Sequence, residues 1–228
     1  MIRVTENLGK IRDLLTKAAL DAERDPGTVQ LLAVSKKQPL QLIADAAAAG
    51  QRDFGENFVQ EALERIQKLP QGDLVWHFIG HLQSNKTRAV AENFDWVHTL
   101  DRLKTAERLS RHRPDELGDL NVCLQVNVDD EPEKYGVRAD ALLELATACT
   151  ELPRLKLRGL MCLPAIREDF EEQRVPFARL QALRESLAAN GIAMDTLSMG
   201  MSGDYRAAIF EGATIVRIGT AVFGPRPS

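Results

Sequence analysis

Two successive lysines, Lys36 and Lys37, close the apolar run Leu31-Leu32-Ala33-Val34-Ser35. An amine carried to the rim of a fold by a buried strand is partly desolvated. Burial disfavours its charged form and favours a nucleophile that can bond to a carbonyl carbon. Many strands simply end in a solvated lysine, so Lys36 needs company elsewhere in the chain. Arg217 supplies some, as a guanidinium inside the apolar run Ile215-Val216-Arg217-Ile218. A buried charge requires a partner. A structural carboxylate would serve, and so would a ligand acceptor such as a pyridine nitrogen, because arginine only donates. Small residues make up a third group. Ser198-Met199-Gly200-Met201-Ser202-Gly203 offers hydroxyls and close backbone approach for an anion, and Gly219-Thr220 adds further donors. The alternative is a plain connecting turn.

The elements that must position these residues alternate along the chain. A first helix is expected within residues 1–25, where Val4, Leu8, Ile11, Leu15, Ala18, Ala19 and Ala22 repeat at helical spacing until Asp25-Pro26-Gly27. Strands are expected at Val29 to Ser35, Asp53 to Gly55, Val75 to Gly80, Trp96 to Thr99, Val122 to Val128, Leu157 to Leu163, Thr196 to Met199 and Ile215 to Ile218. Every strand but the last is followed by a helical pattern. Eight strands alternating with helices in a chain of 228 residues predict a closed (β/α)8 TIM barrel forming one domain over residues 1–228. An open doubly wound sheet shares the alternation, but no Gly-x-Gly-x-x-Gly fingerprint follows the first strand. In a barrel the site lies at the C-terminal strand ends. That rule selects Lys36, Asn57, His81, Met161, Ser198, Ser202, Gly219 and Thr220, with Arg217 one residue inside the last strand.

Composition narrows the classes. Hydrophobic residues make up 44% and charged residues 27%, an ordinary globular balance, and the formal charge of -4 argues against a nucleic-acid surface. No run is long enough to span a membrane and the N-terminus lacks a signal-peptide stretch, so a cytoplasmic protein is expected. Cys123, Cys149 and Cys162 read as buried reduced thiols. His77 and His81 lack the helical His-Glu-x-x-His geometry, so no metal is expected.

A lysine amine, phosphate-binding turns and an arginine facing an aromatic nitrogen together describe a site for pyridoxal 5'-phosphate (PLP). The segments that carry these residues are Leu32-Ala33-Val34-Ser35-Lys36, Phe54-Gly55-Glu56-Asn57, His77 to Lys86, Arg158-Gly159-Leu160-Met161, Leu197 to Ser202 and Val216 to Gly224. In order and over essentially the whole chain, they resemble the pyridoxal phosphate homeostasis (YggS/PROSC) family. The resemblance implies a barrel like the N-terminal domain of alanine racemase, with PLP held as a Schiff base on Lys36 and Arg217 facing the pyridine nitrogen. It implies that Ser198 or Ser202, with Gly219 and Thr220, holds the phosphate, and that Asn57, His81 and Met161 line the site. Lys37 departs from the family's usual Thr or Asn and brings a second amine nearby, while Lys134 matches a position near the pocket mouth.

The implied function is a PLP buffer, store or donor without turnover, with PLP-dependent apoenzymes as recipients and a monomer expected. A racemase-like enzyme is the alternative. Racemisation needs a base on each face of the substrate carbon, and in alanine racemases the second is a tyrosine associated with a separate domain. The chain is expected to lack that domain, and Tyr135 and Tyr205 are poor substitutes. A third class is a phosphate-binding barrel enzyme in which Lys36 binds a carbonyl substrate.

Overall fold

The alternating pattern closes on itself. In the computed structural model, which describes residues 4–69 and 72–225, eight parallel strands form one closed barrel in chain order. Residues 1–3 of the expected first helix, and 226–228 at the end of the expected domain, lie outside the described residues. The strands are β1 (Gln30–Val34), β2 (Asp53–Glu56), β3 (Val75–Phe78), β4 (Trp96–Leu100), β5 (Leu120–Gln125), β6 (Leu155–Met161), β7 (Thr196–Ser198) and β8 (Ile215–Ile218). Closure comes from β1 pairing with β8, which sets Leu32 beside Arg217 and Ala33 beside Ile218. An open sheet is thereby excluded.

The helices follow as α1 (Val4–Asp21), α2 (Leu40–Ala48), α3 (Val59–Lys68), α4 (Thr87–Asn93), α5 (Leu103–His112), α6 (Leu142–Thr150), α7 (Phe170–Ala189), α8 (Tyr205–Phe210) and α9 (Thr220–Phe223). Helix α1 buries Val4, Leu8, Ile11, Leu15, Ala18 and Ala19, the stripe that its spacing predicts. It is tied to the end of the barrel by Asn7 Nδ2 donating to the Val222 carbonyl at 2.9 Å.

Most strand boundaries differ from expectation by one or two residues, and one differs by three. The fifth strand ends at Gln125 rather than Val128, because the chain folds back there. Val126 bridges Val137, and Gln125 Nε2 donates to the Tyr135 carbonyl. The sixth strand runs from Leu155 to Met161, two residues earlier than its apolar run suggests. The last strand does lead into a short helix, α9.

Side-chain alternation divides the core in two. Leu31 and Ala33 face the helices and join the main core, whereas Leu32 and Val34 pack inside the barrel with Ile79 and Ile215. Trp96, Cys123 and Met161 form a second inner cluster. Between these apolar groups the interior also holds buried His77, His98, Ser198 and Arg217. The three cysteines are free and buried, and desolvation pushes each thiol up to about 12.

Candidate functional site

Lys36 sits half-buried just past β1, where the ladder runs one residue further through Ser35 N donating to the Gly55 carbonyl at 3.0 Å. The period of two that turns Leu32 and Val34 inward places Lys36 on the same side. Lys37 departs from that direction. Its φ of 58° reverses the chain, its amide donates to Glu61 Oε2 at 3.2 Å, and its amine lies 5.8 Å from the centre of the Phe58 ring, outside the barrel.

The turn carrying both lysines is held by a buried ion pair. Glu56 is fully buried at the end of β2. It accepts from the Ser35 hydroxyl at 2.5 Å and from Arg65 Nη1 at 2.7 Å. Arg65 Nη2 also donates to the Gln38 carbonyl at 3.0 Å, past the lysines. Burial raises the Glu56 pKa, while Arg65 and Ser35 oppose the rise.

Asn57 follows Glu56 half-buried, and its Oδ1 is enclosed without a hydrogen-bond donor. It approaches the next strand end closely, because a Cβ on Gly80 would stand 2.1 Å from the Asn57 carbonyl oxygen. Gly80→Ala is expected to cost about 1–3 kcal/mol through this overlap. Urea unfolding measures it, and an unchanged midpoint would contradict the contact. His81 is exposed on the rim and stacks on Tyr135, with centroids 3.8 Å apart and planes at 21°.

Strands β6, β7 and β8 bring together the remaining residues. Arg217 is only 4% exposed and, among the described residues, forms no ion pair with a carboxylate. Instead Nη1 donates to the Ser198 carbonyl at 2.5 Å and to Ser198 Oγ at 2.8 Å, and Nη2 donates to the Cys162 carbonyl at 2.8 Å. Two of its five N–H groups have no protein acceptor among the described residues. The structural carboxylate allowed by the sequence is therefore not what holds this charge.

Two other expected residues take different positions. Ser198 is fully buried and its hydroxyl is committed to Arg217 and His98, so it is not a surface hydroxyl of the phosphate turn. Met161 is fully buried among Trp96 and Cys123, a piece of barrel packing below the rim. Ser202 and Thr220 are exposed and Gly219 is partly so. Among the described residues no protein group accepts from the amides of Ser202, Gly203, Gly219 or Thr220. The loop after β7 turns at Gly200, whose φ is 93°, and Met201 N is capped by Asp204 Oδ1 at 2.6 Å. Arg217 N donates to the Gly200 carbonyl at 3.0 Å, which joins this loop to β8. On its other side Gly219 abuts Val34, the residue two before Lys36.

Sequence reading missed the groups inside the barrel, Asp53, His77 and His98, and the Glu56–Arg65 pair. Their signal is polar residues at the inward positions of strands whose outward positions are apolar, as in Trp76-His77-Phe78.

Comparison with known proteins agrees with this fold. The family model described as alanine racemase, N-terminal domain, matches residues 9–227. The pyridoxal phosphate homeostasis protein of Pseudomonas aeruginosa is 54% identical over 226 residues, covering 99% of this chain and 97% of that protein. The chain belongs to the pyridoxal phosphate homeostasis protein family. PipY of Synechococcus elongatus, solved with PLP bound, superposes with a TM-score of 0.84 at 37% identity, covering 97% of this chain and all of that one. An alanine racemase of Clostridium difficile shares the fold at a TM-score of 0.73 and 14% identity, covering 95% of this chain and 57% of that chain. Among the described residues no helix of this family member is long and apolar enough to cross a membrane.

Proposed function

We propose that this protein binds pyridoxal 5'-phosphate at the open end of its barrel, covalently through Lys36, and stores or hands on the cofactor without turning over a substrate. The observation that carries the reading is Arg217, a buried guanidinium with no carboxylate partner among the described residues and two donors left for a ligand. An acceptor such as a pyridine nitrogen meets that need. The unpartnered Asn57 Oδ1, the uncommitted amides after β7 and β8 and the exposed hydroxyls of Ser202 and Thr220 also fit the group. The PLP-bound PipY relative supports the same assignment.

When bound, the cofactor supplies an aldehyde carbon for an amine and a ring that can accept electron density. The residues of this chain then have separable roles. Lys36 is the covalent anchor, Arg217 orients the ring end, Ser202, Gly219 and Thr220 bind phosphate, and Asn57 and His81 border the mouth. An arginine opposite the ring nitrogen leaves that nitrogen unprotonated, which weakens the ring as an electron sink. Tyr135, the tyrosine at the rim, is 57% exposed and stacked on His81, a poor placement for a second base. The protein acts in this reading as a cytoplasmic monomer whose recipients are PLP-dependent apoenzymes. The test is incubation of the loaded protein with L-alanine and L-serine. No racemisation is expected, and robust racemisation that disappears in Lys36→Ala would overturn the carrier reading.

A further inference from the structure

A row of hydrogen bonds crosses the barrel interior from the start of β2 to β8. Asp53 Oδ1 lies 3.0 Å from His77 Nε2, His77 Nδ1 lies 2.9 Å from His98 Nε2, and His98 Nδ1 lies 2.7 Å from Ser198 Oγ. Ser198 Oγ in turn accepts from Arg217 Nη1 at 2.8 Å. His77, His98 and Ser198 are fully buried, and only Asp53, with 17% of its side chain exposed, reaches towards solvent. The rings are also held sideways, because the Trp96 indole stacks on His77 at 5.4 Å and 10°.

The two ends dictate every proton between them. An ionised Asp53 only accepts, so His77 carries its proton on Nε2 and presents Nδ1 as an acceptor. His98 then carries its proton on Nε2 and accepts on Nδ1. The Ser198 hydroxyl must donate to His98, which leaves its lone pairs to Arg217. No donor meets a donor and no acceptor meets an acceptor. The reverse arrangement, with His77 charged and His98 donating from Nδ1, leaves the Ser198 proton without an acceptor among the described residues. Burial, with His77 and Arg217 nearby, holds the His98 pKa well below the usual histidine range, in keeping with a neutral ring.

We propose that Asp53, His77 and His98 are positioning residues that fix the Ser198 hydroxyl and through it the Arg217 guanidinium, so that the ring end of the pocket is set from the opposite end of the barrel. The proposal rests on the reading of Arg217 as the residue that meets the PLP ring. It assigns function to three side chains that touch no ligand. Their effect is electrostatic and geometric: with Ser198 oriented, three Arg217 donors stay on protein oxygens and the other two stay available.

Two measurements test it. In the protein without cofactor, nitrogen-15 correlation spectra of the histidine rings are expected to show protonation at Nε2 on both His77 and His98, and an Nδ1–H on His98 would overturn the chain. In the PLP-loaded protein, Asp53→Asn and His98→Asn are each expected to move the pH midpoint of the visible band by about one unit, a tenfold change in proton affinity. In a Ser198→Ala background the same replacements should move it no further, because the effect passes through that hydroxyl. Folded variants that take up cofactor on Lys36 with an unmoved midpoint would sink the proposal. Failure of the wild-type protein to take up PLP would instead sink the underlying reading, while the ring spectra would still report on the chain.

Discussion

Lys36→Ala loses the visible absorption of the PLP-loaded protein, and its retention of cofactor through gel filtration falls on the order of a hundredfold, about 2.8 kcal/mol at 1.4 kcal/mol per decade. Lys37→Ala keeps both. The contrast follows from the turn that separates the two amines. Lys36 continues the inward alternation of Leu32 and Val34, whereas Lys37, at a φ of 58°, places its amine beside the Phe58 ring. A covalent anchor on the inner side leaves the outer lysine dispensable. Equal loss in the two variants, or loss in Lys37→Ala alone, would contradict the assignment.

Arg65→Met destabilises the protein by about 3–5 kcal/mol at neutral pH, the usual cost of removing one partner from a buried ion pair. Glu56 is fully buried and Arg65 has 11% of its side chain exposed, so water cannot replace the guanidinium. The dependence on pH has a definite sign. Burial already raises the folded pKa of Glu56 above its ordinary value of 4.5, and losing Arg65 raises it further. A carboxyl whose folded pKa is raised contributes stability that is complete below the unfolded value and is lost as pH rises through the folded one. The deficit of the variant is therefore largest near pH 7 and shrinks as the solution is acidified towards the ordinary carboxyl range. Urea unfolding of both proteins across that range measures it, and a deficit independent of pH would contradict the pairing. Because Arg65 also holds the Gln38 carbonyl, the variant should bind PLP more weakly through disorder at Lys36.

The residues that could be read from sequence are those whose role is local. Lys36 at the end of an apolar run and Arg217 inside one stand out by type and position, and the alternation of strands with helices implies the barrel that encloses them. Ser198 stands out as well, but its role does not. A serine at the end of β7 looks the same in sequence whether its hydroxyl meets a phosphate or turns inward. Here the deciding partner, His98, lies 100 residues away. The same holds for Asp53 and His77, which look like surface acid and idle imidazole until closure of the barrel brings their strands together. The end of β5 departs from its apolar run for a related reason. Val126 and Val128 continue the apolar run, but pairing with Val137 draws the chain out of the sheet. Local pattern fixes which residues face inward, and tertiary closure decides what they meet.

The central claim is covalent attachment at Lys36, and borohydride reduction of the PLP-loaded wild-type protein followed by peptide mapping tests it most directly. A single pyridoxyl adduct on Lys36 is the predicted result. An adduct on Lys37, or none on either lysine, would contradict it.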